Sequence, residues 1–200
     1  MVADLACQPG AAMGLRASGY TGRMRFGYYE RLSAAQKRIY RKSDEIGAIG
    51  LPPDVSAGTD VARMRAALAA ADRTGVQAAC QRIVDALAQG YHVPPLRVRV
   101  LAQRPSDDYG ELHGLYEPAE GRAVARVTVW MRTAKKAQVV AFKSFLRTLV
   151  HELAHHLDYE LYLLPETFHT EGFYKRESSL ANALLAAETS AATPPSDGGS

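Results

Sequence analysis

"TLVHELAHHLDYELYLLPETFHTEGFYKRESSL", residues 148–180, holds four of the chain's six histidines within nineteen residues, with a glutamate directly after the first. On a helical wheel at about 100° per residue, Phe142, Phe145, Leu146, Leu149, Leu153 and Leu157 form one apolar stripe. The pattern predicts a long helix from about residue 136 to 164, stopped at Pro165 because proline clashes with the preceding turn. A last helix is expected to start near Thr170.

His151 and His155 lie together on the side opposite the stripe, flanked by Ser144 and Thr148. Imidazoles four residues apart reach the same point in space. His156 falls instead at the edge of the stripe. Glu152 projects next to the pair. "HELAH", residues 151–155, is therefore an HExxH motif on an amphipathic helix. Imidazole suits zinc, and a catalytic zinc takes three protein ligands and keeps one position open. A carboxylate beside the ligands then moves a proton from water to the leaving amine. The reading gives His151 and His155 as metal ligands and Glu152 as the catalytic base.

Spacing leaves the third ligand open. His169 lies fourteen residues after His155, beyond the break at Pro165, where a returning loop can carry it to the metal. Glu177 lies twenty-two residues after His155 and would project from the last helix, as the third ligand does in thermolysin-like gluzincins. Glu166 and Glu171 are weaker candidates. Asp158 shares the ligand face, but one helix does not easily supply three ligands at tetrahedral angles. It reads as a carboxylate orienting a ligand imidazole or as ordinary helix polarity. His113 reads as a strand residue and His92 as a loop residue. Tyr174 reads as packing, with an oxyanion-donor role as its alternative, and Trp130 as core.

Upstream of this helix the period changes. "LRVRVLA" (96–102) alternates as a half-buried strand does. "GELHGLYEP" (110–118) and "RVTVWMRT" (126–133) are further strands, joined by the hairpin loop "AEGRA". Before them, "LSAAQKRIYRKSDEI" opens with Ser33 and Gln36 at capping-box spacing and predicts a helix. Residues 60–72 and 76–89 predict two more, broken at Thr74–Gly75, with Gly90 ending the second. The chain divides into a flexible basic arm (1–28), a helical region (29–91), a catalytic domain (92–187) and a disordered tail (188–200).

The totals set bounds on function. Two hundred residues bury a core without disulfide or metal staples. Cys7 and Cys80 are the two cysteines, too few for a disulfide framework, which suits a reducing cytoplasm. No run of eighteen apolar residues exists to span a membrane, and the first residues lack an apolar signal core. The net charge is only +3. Eight Arg or Lys and one acid, Glu30, nevertheless fall between Arg16 and Lys42, a segment that reads as a solvated face, with weak contact to nucleic acid as its alternative.

Residues 96 to about 185 resemble the SprT-like and WLM-type zincin metallopeptidases. "HELAHH" matches their motif helix, and "HTEGF", with Phe173 in the aromatic place, matches their following H-x-x-x-F element. "ELHGLYE" and "ARVTVWMRT" look like the strands before that helix. Thr170 stands where many of the group carry glycine, and the chain has no cysteine zinc ribbon. The resemblance implies a zinc site of His151, His155 and His169 with Glu152 as base.

The expected fold is thus α+β and zincin-like. A small, mostly antiparallel sheet packs on the HExxH helix and follows a helical N-terminal region. The expected function is zinc-dependent hydrolysis of a peptide or protein substrate in the cytoplasm. The alternative is a nucleic-acid-associated or protein-binding module with little or no peptidase activity.

Overall fold

The computed structural model describes residues 26–108 and 110–192. Among them α1 (Ala34–Glu45), α2 (Gly58–Ala69) and α3 (Arg73–Gly90) precede β1 (Arg97–Gln103), β2 (Ser106–Asp107), β3 (Gly110–Glu111), β4 (Gly114–Glu117) and β5 (Arg126–Arg132). The helices α4 (Phe142–Glu160) and α5 (Glu171–Ala192) follow. The architecture is α+β.

Local chemistry sets several boundaries. Ser33 and Gln36 form the expected reciprocal capping box at the start of α1. The break between α2 and α3 falls at Ala70–Asp72, not at Thr74–Gly75. Ala71 takes a positive φ of 54°, and the Asp72 side chain caps α3 by accepting from Gly75 N. Gly75 therefore lies inside the first turn. α4 starts six residues later than expected, because Val139 and Val140 extend the β5 edge: Arg132 bridges Val139, and Val140 N donates to Met131 O at 2.7 Å. The same helix stops at Glu160, before Pro165 is reached. Leu163 turns the chain with φ 51°, and Leu164 N donates back to Asp158 O.

The sheet corrects one expectation. It is mixed, in the order β1-β5-β4, rather than mostly antiparallel. β4 and β5 pair antiparallel, with Gly114 opposite Val129, and are joined through a turn containing Gly121 at φ 59°. β1 then pairs parallel to β5, Val98 opposite Val127. β5 is the central strand, and Val127 through Met131 are all buried, as suits a strand covered on both faces. The expected strand 110–118 is interrupted at Leu112–His113. Its first part, β3, pairs with β2 in a separate ribbon.

The two edges of the three-stranded sheet differ. Along β1, side chains of α3 take the place of a neighbouring strand. Gln77 accepts from Val100 N at 2.7 Å and donates to Val98 O at 2.5 Å. Gln81 accepts from Val98 N at 2.8 Å and donates to Leu96 O at 3.0 Å. Those backbone groups are consumed, which blunts the edge toward added strands. β4 forms the other edge and lies on α4.

One hydrophobic cluster runs through both the helical region and residues 92–187. It joins Val61, Met64, Ile83 and Leu87 with Val127, Leu149, Leu153 and Leu184. The boundary drawn at residue 91 therefore does not divide the core. α5 extends to Ala192, through the first residues of the expected tail, and Glu188 pairs with Arg65. The remainder of that tail and residues 1–25 of the basic arm lie outside the described residues. No helix among the described residues is long and apolar enough to cross a membrane.

Candidate metal centre

α4 is covered on both of its sides. Phe145, Leu146, Leu149, Leu153 and Leu157 face the core, and all are buried. The opposite side meets α5 and the loop before it, so His155 and Asp158 are buried too, and Glu152 is buried against β4. Pro165 and the turn at Leu163 reverse the chain, and His169 arrives just ahead of α5.

Three histidines converge there. One ring nitrogen from each of His151, His155 and His169 lies within 4.8 Å of the others. His169 Nε2 stands 3.0 Å from His151 Nε2 and 3.2 Å from His155 Nε2. The outer nitrogens are occupied elsewhere. His151 Nδ1 lies 2.9 Å from Glu177 Oε2. His155 Nδ1 lies 2.9 Å from Thr167 Oγ1, and that hydroxyl donates to Asp158 Oδ2 at 2.8 Å. A carboxylate only accepts, so His151 carries its proton on Nδ1. Thr167 gives its one proton to Asp158, so His155 also carries its proton on Nδ1. Both Nε2 atoms then point into the cluster.

Burial and the neighbouring His151 oppose protonation of His155 and His169. Burial, with His151 and His169 adding to it, holds His155 well below the ordinary histidine value. Burial and His151 bring His169 down to about 4, with Glu177 pulling the other way. Burial raises the Glu177 carboxyl, but the hydrogen bond and charge of His151, then those of Arg147, outweigh it and leave Glu177 below 4.5. Ring nitrogens this close share either a proton or a cation. Ligands at zinc–nitrogen distances of about 2.0–2.1 Å stand roughly 3.3 Å apart on a tetrahedron. The spacing and chemistry of this donor set therefore fit a zinc ion.

The remaining residues take other places. Glu177 sits behind His151, away from the converging nitrogens. Asp158 reaches His155 only through Thr167. His156 is fully buried and committed elsewhere: Nε2 donates to Pro94 O at 2.8 Å, and Nδ1 accepts from Tyr116 at 3.1 Å. His92 takes φ 57° in the turn after α3, and His113 lies half-buried between β3 and β4. Glu166 accepts from Gln36, and Glu171 pairs with Lys175. The Tyr174 ring stacks on His169 at 5.8 Å between centroids. Trp130 is buried, as expected.

Glu152 is 3 % exposed. Its carboxylate lies against Gly114, the first residue of β4. A Cβ at Gly114 would overlap Glu152 Oε1 and stand 2.8 Å from Cδ. A glycine there lets α4 bring the carboxylate against the edge strand. Sequence reasoning missed Gly114, Thr167, Arg176 and Tyr28. Thr167, two residues before His169, carried the one local signal, a hydroxyl beside a ligand candidate.

Exposed Arg31, Arg38, Arg41 and Lys42 place part of the basic segment on and beside α1. No family model, curated protein or solved structure matches the chain.

Proposed function

We propose that this chain is a zinc-dependent metallopeptidase of zincin-like architecture, akin to the SprT-like and WLM-type enzymes. The observation that carries the reading is the convergence of His151, His155 and His169, with Glu152 on the same helix. Three imidazoles are the ligand number of a catalytic zinc site that keeps a position open. Zinc held there supplies a Lewis acid that makes water acidic near pH 7.

The chain's own residues do the rest. His151 and His155 present Nε2 because Glu177 and Thr167 hold their Nδ1 protons. Glu152, fixed against Gly114, takes a proton from water and returns it to the leaving amine. The β4 edge offers backbone hydrogen bonds to an extended peptide, in the manner of strand addition. The glutamines over β1 favour that edge by closing the other.

The experiment compares the zinc-loaded parent with Glu152→Gln on a randomised peptide library, read by mass spectrometry. Glutamine keeps the shape of glutamate but removes its basicity. The parent is expected to cleave and the variant to lose hydrolysis while keeping zinc. Equal cleavage by the variant would remove Glu152 as base. A zinc-loaded parent that cleaves nothing would favour a protein-binding module over a peptidase.

A further inference from the structure

We propose that Thr167, Asp158 and Arg176 are positioning residues that set the tautomer of His155 and tie the histidine cluster to the end of α1. The proposal rests on the metal-site reading above, but its geometry is independent of it. Thr167 Oγ1 joins His155 Nδ1 to Asp158 Oδ2. Asp158 Oδ1 then accepts from the Arg176 guanidinium at 2.7 Å. Arg176, only 2 % exposed, donates onward to Ser43 O at 2.9 Å and Ile46 O at 2.7 Å.

Charge fixes the direction of the chain of hydrogen bonds. A guanidinium is a cation with five donors and no acceptor. Buried beside it, Asp158 balances that charge as a carboxylate, which can only accept. Thr167 must therefore donate to Asp158, and His155 must donate to Thr167. The Ser43 and Ile46 carbonyls lie at the carboxyl end of α1, where the helix dipole favours a cation. The ion pair alone would hold α4 to α5. A hydroxyl placed between its carboxylate and a clustered imidazole does more, because it leaves one tautomer.

Other contacts join the same segment to the loop carrying His169. Tyr28 donates to His169 O at 3.0 Å. Gln36 donates to Glu166 at 3.0 Å. Gly172 N donates to Asp44 Oδ1 at 3.0 Å, and a Cβ at Gly172 would meet Ser43 O at 2.5 Å. Residues 28–46 thus brace the loop at both ends. The helical region belongs to the site's support.

The test uses the full chain with Thr167→Val, which keeps the shape and removes the hydroxyl, and Thr167→Ser, which keeps the hydroxyl. Long-range proton–nitrogen NMR of the chelator-treated protein reads the His155 tautomer without any metal. The parent and Thr167→Ser are expected to hold the Nδ1–H form, and Thr167→Val to lose it. Zinc affinity, by chelator competition at fixed pH, should fall about 10- to 100-fold in Thr167→Val. It should stay near the parent in Thr167→Ser. A Thr167→Val protein with an unchanged tautomer overturns the proposal. A parent that binds no zinc overturns the metal reading instead, and the NMR result still decides the relay. Arg176→Lys, combined with Thr167→Val, completes a double-mutant cycle. If Arg176 acts through Thr167, its effect on the tautomer vanishes in the valine background. Additive effects would remove Arg176 from the relay.

Discussion

Glu177 Oε2 lies 2.9 Å from His151 Nδ1, while Nε2 of the same ring lies 3.0 Å from His169 Nε2. Two residues that sequence spacing offered as rival ligands thus occupy opposite sides of one imidazole. Glu177 orients the ring, and His169 meets its other nitrogen.

The two sides predict different losses. His169→Ala should weaken zinc binding by far more than 100-fold, since three ligands become two. Glu177→Ala should cost about 10- to 100-fold, the size of losing a partner behind a ligand. Chelator competition at constant pH separates the two. A Glu177→Ala protein stripped of metal beside a metal-bound His169→Ala protein would install the thermolysin-like ligand set.

Gly114→Ala should lower peptide hydrolysis about 100-fold while zinc content stays near the parent's. The added methyl displaces the Glu152 carboxylate, and a misplacement of about 1 Å costs on that order. Paired measurements of turnover and bound zinc check this. Full activity would mean that the Gly114 contact does not position the base.

The histidines were legible because a 3.6-residue period and a local motif coincide on α4. The third member of the cluster was not, because α5 and its leading loop bring both His169 and Glu177 to His151. Spacing alone does not say which side of the ring each one meets. The hairpin of β4 and β5 followed from its turn residues. The parallel pairing of β1 depends on a connection running through β2, β3 and β4, which no local pattern records. The near-continuous apolar run in β5 did carry a sign of its central place. Arg176 was invisible, since its carbonyl partners Ser43 and Ile46 lie at least 130 residues away.

Removing the metal should make stability acid-sensitive below neutral pH. Burial and neighbouring imidazoles depress His155 and His169 in the folded state, the latter to about 4, against about 6.5 in the unfolded chain. Above pH 6.5 neither state binds these protons, and stability is at its full value. As pH falls from 6.5 toward 4, the unfolded chain takes up protons that the fold refuses, and stability declines. Thermal melts of chelator-treated protein across that range should show a falling midpoint. His155→Asn with His169→Asn should flatten the slope. A parent midpoint that rises as pH falls would contradict neutral, buried imidazoles.

Zinc stoichiometry tests the central claim most directly. Purified protein, reconstituted with zinc and then dialysed against metal-free buffer, should retain close to one equivalent per chain, and His151→Ala should retain little. Elemental analysis reads both. A parent that retains none, or a His151→Ala variant that retains as much as the parent, would contradict a zinc site built from these three histidines.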